Sequence, residues 1–157
     1  MKEKIVENIE QHTQFMAMFI EDINTLMASF LEGLRKEYHI SIEQSQDLFL
    51  LDNNKSLTLS EITEKQGVNK AAISRRIKKL INLELVELVK QNENVDQRLK
   101  YVRLTDNGRE YIERTKVIVN DVSTYLLQDI SQSQIEETAK NLRIIDQRIK
   151  EYISKIR

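Results

Sequence analysis

The sequence predicts a mainly α-helical fold (α+β) with one small β-hairpin. The chain of 157 residues holds no proline and only three glycines, so few positions interrupt a helix. Near both ends, apolar residues recur at alternating spacings of three and four, which is typical of amphipathic helices. Within residues 85–104 the pattern changes to that of β-strands. We therefore expect long helical segments at both ends and a compact middle that carries the hairpin.

The first predicted helix is long and amphipathic, and it ends near Tyr38. Its apolar seam has heptad-like spacing and consists of Ile5, Ile9, Met16, Phe19, Ile23, Leu26 and Phe30. Ser41 and Gln44 carry the signature of a capping box, which opens a second helix through about Leu51. Residues 52–56 are polar and predict a loop.

Two short helices joined by a tight turn are predicted next. Thr58 caps the first of them, residues 59–66. Gly67 stands where the turn requires a positive φ, and Asn69 caps the second helix, residues 70–83. This order of helix, glycine-containing turn and helix is the helix-turn-helix arrangement.

A hairpin and two further helices complete the chain. Residues 85–90 and 99–104 predict two strands joined by a polar tip, and this hairpin is called the wing below. Thr105 caps a long helix to about Ile130, and Ser131 opens the last helix. The last helix has a second heptad-like seam, interrupted only by Thr138, formed by Ile135, Leu142, Ile145, Ile149, Tyr152 and Ile156.

The ends and the middle of the chain are predicted to have different tasks. Two apolar seams cannot both be buried inside so small a winged domain, so residues 1–38 and 106–157 are expected to form a helical dimerisation region. Residues 39–105 are expected to form the winged helix-turn-helix domain. From residue 60 to residue 103 the chain holds ten basic and six acidic residues, although its net charge is −1. A basic middle between acidic ends indicates a module that meets phosphate.

The helix of residues 70–83 has one apolar face and one cationic face. Ile73, Ile77 and Leu80 share the first face, whereas residues 70–79 hold five basic groups and no acid. Such a helix can pack on a core and enter the major groove of double-stranded DNA. The predicted DNA contacts are Asn69, Lys70, Ala71, Ser74, Arg75, Lys78 and Lys79. Of these, Arg75 suits a guanine edge, and the lysines suit phosphates.

The run from Leu59 to Gly108 resembles the MarR family of transcriptional regulators. The matching motifs are Val-Asn-Lys-Ala-Ala-Ile-Ser-Arg at residues 68–75, Asp-Gln-Arg at residues 96–98, and Leu-Thr with a following glycine at residues 104–108. The resemblance implies a homodimer that binds a pseudo-palindromic operator as a regulator, expected here to be a repressor. It also implies release by small phenolic or drug-like ligands.

The resemblance also assigns roles in the wing and at the junctions. Arg98 is expected to enter the minor groove and Asp96 to brace the wing, although this segment alone equally fits a polar turn with a local ion pair. The family's ligand pocket lies between the dimer helices and the winged domain. Near those junctions stand Asn24, Tyr38, His39 and Arg109, which could equally make ordinary structural hydrogen bonds.

Other functions are less compatible with the sequence. It contains no nucleotide-binding loop, nucleophile elbow or metal-ligand cluster, so neither an enzyme nor a cofactor or metal site is expected. Cysteine is absent, which excludes a thiol switch, and no apolar run approaches a membrane span, so a cytoplasmic protein without a membrane partner is expected. The alternative is a winged-helix dimer that binds protein without specific DNA binding.

Overall fold

The computed structural model describes residues 2–90 and 100–156, with the side chains described from residue 8 onward. The described elements follow in the order α1 (Lys2–Phe30), α2 (Glu32–Glu37), α3 (Ile42–Asn54), β1 (Ser56–Thr58), α4 (Leu59–Gln66), α5 (Lys70–Asn82), β2 (Val86–Lys90), β3 (Lys100–Leu104), α6 (Asp106–Leu127) and α7 (Gln132–Ile156). The predicted mainly α fold with a small sheet is therefore confirmed.

The chain divides into two compact units, Met1–Val119 and Asn120–Arg157. The first unit has one hydrophobic core, to which helices α2 to α6 and all three strands contribute. The second unit consists of the end of α6 and of α7, and no residue of α7 is buried. Among the described residues, no helix combines the length and the apolar character that crossing a bilayer requires.

The helix starts follow the predicted capping signals. At α3 the Ser41 hydroxyl accepts from the Gln44 amide, and the Gln44 side chain accepts from the Ser41 amide. Thr58 and Glu61 form the same kind of reciprocal pair at the start of α4, and Ser131 and Gln134 form one at the start of α7. Each pair satisfies amide groups that a helix terminus leaves without intrahelical partners. Local sequence therefore decides where these helices begin.

Three details differ from the sequence prediction. The first helix does not run unbroken to Tyr38, because it is interrupted at Leu31 before α2 begins. The predicted loop of residues 52–56 is helical as far as Asn54, whose side chain bonds back to the Leu50 carbonyl. The strand β1 then follows and was not predicted, because its pairing with β3 is a contact between distant parts of the chain.

The sheet has the order β1-β3-β2, and both pairings are antiparallel. Val102 of β3 stands between Leu57 of β1 and Leu88 of β2. Val102 and Leu57 are buried, whereas Leu88 is half-exposed. The central strand therefore holds the wing to the segment that precedes the helix-turn-helix.

Candidate nucleic-acid interface

The turn between α4 and α5 is set by one glycine and one cap. Gly67 has the left-handed conformation (φ 65°, ψ 24°), and its amide donates to the Thr63 carbonyl at 3.0 Å. A residue with a side chain would be strained at this φ. Two residues later, the side-chain oxygen of Asn69 accepts from the Ala72 amide at 2.9 Å. The helix-turn-helix is thereby fixed by backbone geometry.

Helix α5 lies with its apolar edge on the core. Ile73 and Leu80 have no exposed surface, and Ile77 is 2% exposed. The other edge is exposed and includes every residue of this segment that the sequence predicted to touch DNA: Asn69, Lys70, Ala71, Ser74, Arg75, Lys78 and Lys79. The structure therefore brings these seven residues together on one cationic surface, called the α5 surface below.

Asn69 serves the helix as well as this surface. Its Oδ1 atom is used by the cap of α5, so a contact with DNA would have to come from its side-chain NH2 group. The sequence predicted both a capping role and a DNA contact for Asn69, and the geometry is compatible with the two together.

The two strands of the wing form as predicted, whereas its tip lies outside the described residues. Arg98 and Asp96 belong to that tip, so their predicted roles stay predictions. On the strands, Glu87 faces Arg103, and the Arg103 side chain donates to the Glu87 carboxylate at 2.7 Å. Such an exposed pair contributes little to stability, but it reduces the positive charge that Arg103 offers to DNA.

One junction ties the wing to the start of α6. The Thr105 amide donates to the Leu85 carbonyl at 3.1 Å, and its hydroxyl donates to the Glu84 carbonyl at 2.6 Å. The same hydroxyl accepts from the Gly108 amide at 3.1 Å, as expected for the predicted helix cap. A Cβ atom on Gly108 would lie 2.1 Å from the Leu85 carbonyl oxygen. Only glycine allows this close approach of the two backbones.

A buried charge lies beneath α5. Asp47 of α3 has no exposed surface, and neither carboxylate oxygen has a hydrogen-bond partner in the described structure. The Arg76 guanidinium lies 3.7 Å from Asp47, which is an ion-pair distance longer than a hydrogen bond. Burial raises the pKa of Asp47 to about 6, although Arg76 opposes that shift. Neither residue was predicted from the sequence to belong to a site.

A separate cleft of about 500 Å³ lies among α1, α2 and α3. Its apolar wall includes Met27, Leu31 and Phe49, and Arg35 is one of its polar residues. Arg35 is only 9% exposed, and its guanidinium donates to the Ala28 carbonyl at 2.7 Å. Within the described chain no carboxylate reaches ion-pairing distance of Arg35, so a buried positive charge borders the cleft.

The four predicted ligand-pocket residues lie in different places. Asn24 lines the cleft beside Arg35. Tyr38 packs edge-on against buried Tyr111, with ring centroids 5.1 Å apart. His39 is exposed in a positive-φ turn, and Arg109 bonds to the Leu104 carbonyl and to Asp106 at the start of α6. A pocket that contains all four is therefore not present within the described part of one chain.

The cleft is connected to α6 by one buried hydrogen bond. Ser45 lines the cleft, and its hydroxyl lies 2.7 Å from the Tyr111 hydroxyl. Among the described residues, no group of three or more His, Asp or Glu side chains converges in a way that could hold a metal ion. The polar groups that the cleft offers are therefore hydrogen-bonding groups and the positive charge of Arg35.

Comparisons with known proteins agree with this geometry. A family described as the MarR family matches residues 40–94, which include the whole helix-turn-helix. The HTH-type transcriptional regulator TcaR of Staphylococcus aureus (strain Newman) is 47% identical over 148 residues, which are 94% of this chain and 97% of the relative. The likeness therefore extends over both terminal helices as well as the middle.

Solved structures show the same fold. A crystal structure of a MarR mutant from E. coli has a TM-score of 0.68 at 19% identity and covers 85% of this chain and 94% of its own. A MepR mutant of S. aureus bound to an oligodeoxyribonucleotide has a TM-score of 0.61 at 20% identity and covers 88% of this chain and 97% of its own. The winged fold predicted from the sequence is confirmed by these likenesses.

Proposed function

Because the chain belongs to the MarR family of DNA-binding transcriptional regulators, we propose that it is a homodimeric repressor of a pseudo-palindromic operator. We further propose that small phenolic or drug-like ligands release it or modulate it. The α5 surface is the observation that carries the proposal. Its exposed lysines and arginine stand on a helix whose other edge is buried. The core therefore anchors the helix, and the positive charges face solvent, where DNA can reach them.

Roles on the α5 surface follow from side-chain chemistry. The planar fork of Arg75 suits the two acceptors of a guanine edge, and exposed Ser74 beside it suits a base or a phosphate. Lys70, Lys78 and Lys79 supply phosphate contacts, which position the protein and release counterions. Arg98 is proposed to add a minor-groove contact from the tip of the wing, with Asp96 bracing it.

A second copy of the chain is the proposed occupant of the terminal apolar faces. Ile149 and Tyr152 of α7 are 51% and 66% exposed, and Phe15 and Phe19 of α1 are exposed as well. Apolar faces of this extent mark an interface. We keep the predicted division into a dimerisation region of residues 1–38 and 106–157 and a DNA-binding domain of residues 39–105. A dimer would place two α5 helices about 34 Å apart, in successive major grooves.

The cleft beside Arg35 supports the ligand part of the proposal. Its volume of about 500 Å³ suits a small molecule, and an apolar wall with one buried cation suits an aromatic carboxylate. A ligand that binds better to one spacing of the two α5 helices shifts the population to that spacing. The ligand can weaken operator binding by no more than the difference between its affinities for the two spacings.

The first experiment is DNA binding by fluorescence anisotropy, with the promoter-proximal DNA of the protein's own locus. A salt series, random competitor DNA and added salicylate complete the design. We expect tight, salt-dependent binding that random DNA does not abolish and that salicylate weakens. Binding no better than to random DNA at every salt concentration would contradict a local operator and favour the protein-binding alternative.

The cytoplasmic location stays a prediction.

Replacing single cations should separate base reading from phosphate binding. Arg75→Ala is expected to weaken operator binding by roughly 1–3 kcal/mol and to change random-DNA binding much less. Lys78→Ala is expected to weaken both alike and to reduce the slope of log K against log salt by about one. The measurement is the same anisotropy titration with operator and random DNA. If Arg75→Ala weakened both DNAs equally, Arg75 would be a phosphate contact.

Arg35→Gln tests the ligand cleft. Loss of a charge-assisted hydrogen bond should weaken the response to salicylate by about tenfold or more, while operator binding without ligand stays unchanged. Arg109→Gln is the matched control, because it removes the same charge outside the cleft. The melting temperature of each variant is measured as well. If Arg109→Gln abolished the response and Arg35→Gln did not, the ligand would bind beside Arg109, one of the four residues predicted from the sequence to line a ligand pocket.

A further inference from the structure

The Asp47–Arg76 pair has features that packing alone does not require. A fully buried carboxylate normally gains several hydrogen bonds, and Asp47 has none among the described residues. Its partner Arg76 is held at 3.7 Å, and the Arg76 side chain is 20% exposed. Asp47, on α3, is therefore held by no hydrogen bond among the described residues, and Arg76, on α5, is partly accessible to solvent.

Arg76 stands at the border between the two edges of α5. It precedes buried Ile77 and follows exposed Arg75, and Lys79 lies one turn further along the same side. A released Arg76 side chain would therefore join the α5 surface without any movement of the helix. While Asp47 is charged, it attracts Arg76 toward α3, away from where phosphates would lie.

We propose that Asp47 is a positioning residue for DNA binding: its ionised form holds Arg76 against α3, and its neutral form releases Arg76 to contact a DNA phosphate. The inference rests on the DNA binding by α5 proposed above. It means that binding DNA takes up a proton at Asp47, so affinity rises as the pH falls. Arg76 would then be a phosphate contact whose availability depends on pH.

The groups around Asp47 leave it as the residue that titrates in this pair. Glu43, one turn earlier on α3, is the other charge that acts on Asp47, and it favours protonation of Asp47. Glu43 also attracts Arg76, so Arg76 leaves α3 only when a DNA phosphate attracts it more strongly than Glu43 does. β1 carries no ionisable side chain, the charged residues of β3 are exposed, and Lys116 of α6 is paired with Asp52 and Glu113. Because burial raises the pKa of Asp47 to about 6, protonation falls within an accessible pH range.

The test compares the wild type, Asp47→Asn and Arg76→Gln between pH 5.0 and 8.0, with operator and random DNA. The asparagine variant mimics the neutral acid in shape. We expect wild-type affinity to rise by about fivefold to tenfold as the pH falls, beyond any change in Asp47→Asn, which keeps every other ionisable group of the protein. At pH 7.5 Asp47→Asn should already bind tightly, with a salt slope steeper by about 0.9, as one more phosphate contact requires. Arg76→Gln and the double variant should show neither effect.

Parallel pH profiles of wild type and Asp47→Asn would overturn the inference, and so would weaker binding by Asp47→Asn at every pH. Failure of the wild type to prefer its operator would instead overturn the proposed function, so the two failures are distinguishable. Thermal melting without DNA supplies a separate readout. Burial raises the pKa of Asp47 in the folded protein. The wild type and Asp47→Asn should therefore be equally stable near pH 4, and the wild type should be the less stable of the two above pH 6.

Discussion

Gly108→Ala should destabilise the protein by about 3 kcal/mol or more, at the upper end of what overpacking costs. The new methyl group would lie 2.1 Å from the backbone oxygen of Leu85, and that oxygen cannot swing away as the end of a side chain could. To make room, α6 would have to separate from the wing, and the hydrogen bond between Thr105 and Leu85 would be lost. In a chain of this size the melting temperature should fall by roughly 6–12 °C.

Gly33→Ala is the matched control for this substitution. Gly33 lies within the short helix α2, and a Cβ atom there would meet nothing within 4 Å. Alanine favours a helix over glycine by about 0.5–1 kcal/mol, so this variant should be slightly more stable than the wild type. Melting is followed by circular dichroism at one fixed protein concentration, because the stability of a dimer depends on the protein concentration. A Gly108→Ala protein as stable as the wild type would show that the two backbones are not in contact.

Ile149→Lys should convert the proposed dimer to a monomer and lower operator affinity by about 100-fold or more. Ile149 is half-exposed on α7, so the lysine finds water in the single chain and meets an apolar partner only in the proposed dimer. A monomer carries one α5 helix, and the second helix then no longer binds at the high effective concentration that a dimer provides. Analytical ultracentrifugation gives the oligomeric state, and anisotropy gives the affinity.

Gln147→Lys is the control for the added charge. Gln147 lies on the opposite side of α7, two residues before Ile149, and it is exposed. The variant adds the same positive charge and should remain a dimer with nearly unchanged operator affinity. If Ile149→Lys also remained a dimer with full affinity, the α7 seam would not be the dimer interface.

The helices and the wing could be predicted because their signals are local. Capping pairs such as Ser41 with Gln44 are read from adjacent residues, and the same pairs open the helices in the structure. The period of Ile73, Ile77 and Leu80 likewise fixes which edge of α5 is buried. The family resemblance, taken from motifs in the middle of the chain, is confirmed by relatives that match almost all of it.

Contacts between distant residues were not predictable in this way. The strand β1 has one buried residue, Leu57, and becomes a strand by pairing with β3. Asp47 is polar and was not predicted to be buried, although it lies on the same helix face as buried Leu48 and Leu51. That position on the helix was the one signal that could have identified it. Nothing in the local sequence indicates that Arg35 is buried.

The pairing of β1 with β3 also sets an order of events during synthesis. Residues 59–82, which form α4 and α5, emerge from the ribosome before β3 does, so at first the apolar edge of α5 has no completed sheet beneath it. At usual rates of translation the delay is on the order of a few seconds, long compared with helix formation. During this interval Ile73, Ile77 and Leu80 have no complete core to pack on, because Val102, Leu104 and Tyr111 of the same core follow them in the chain.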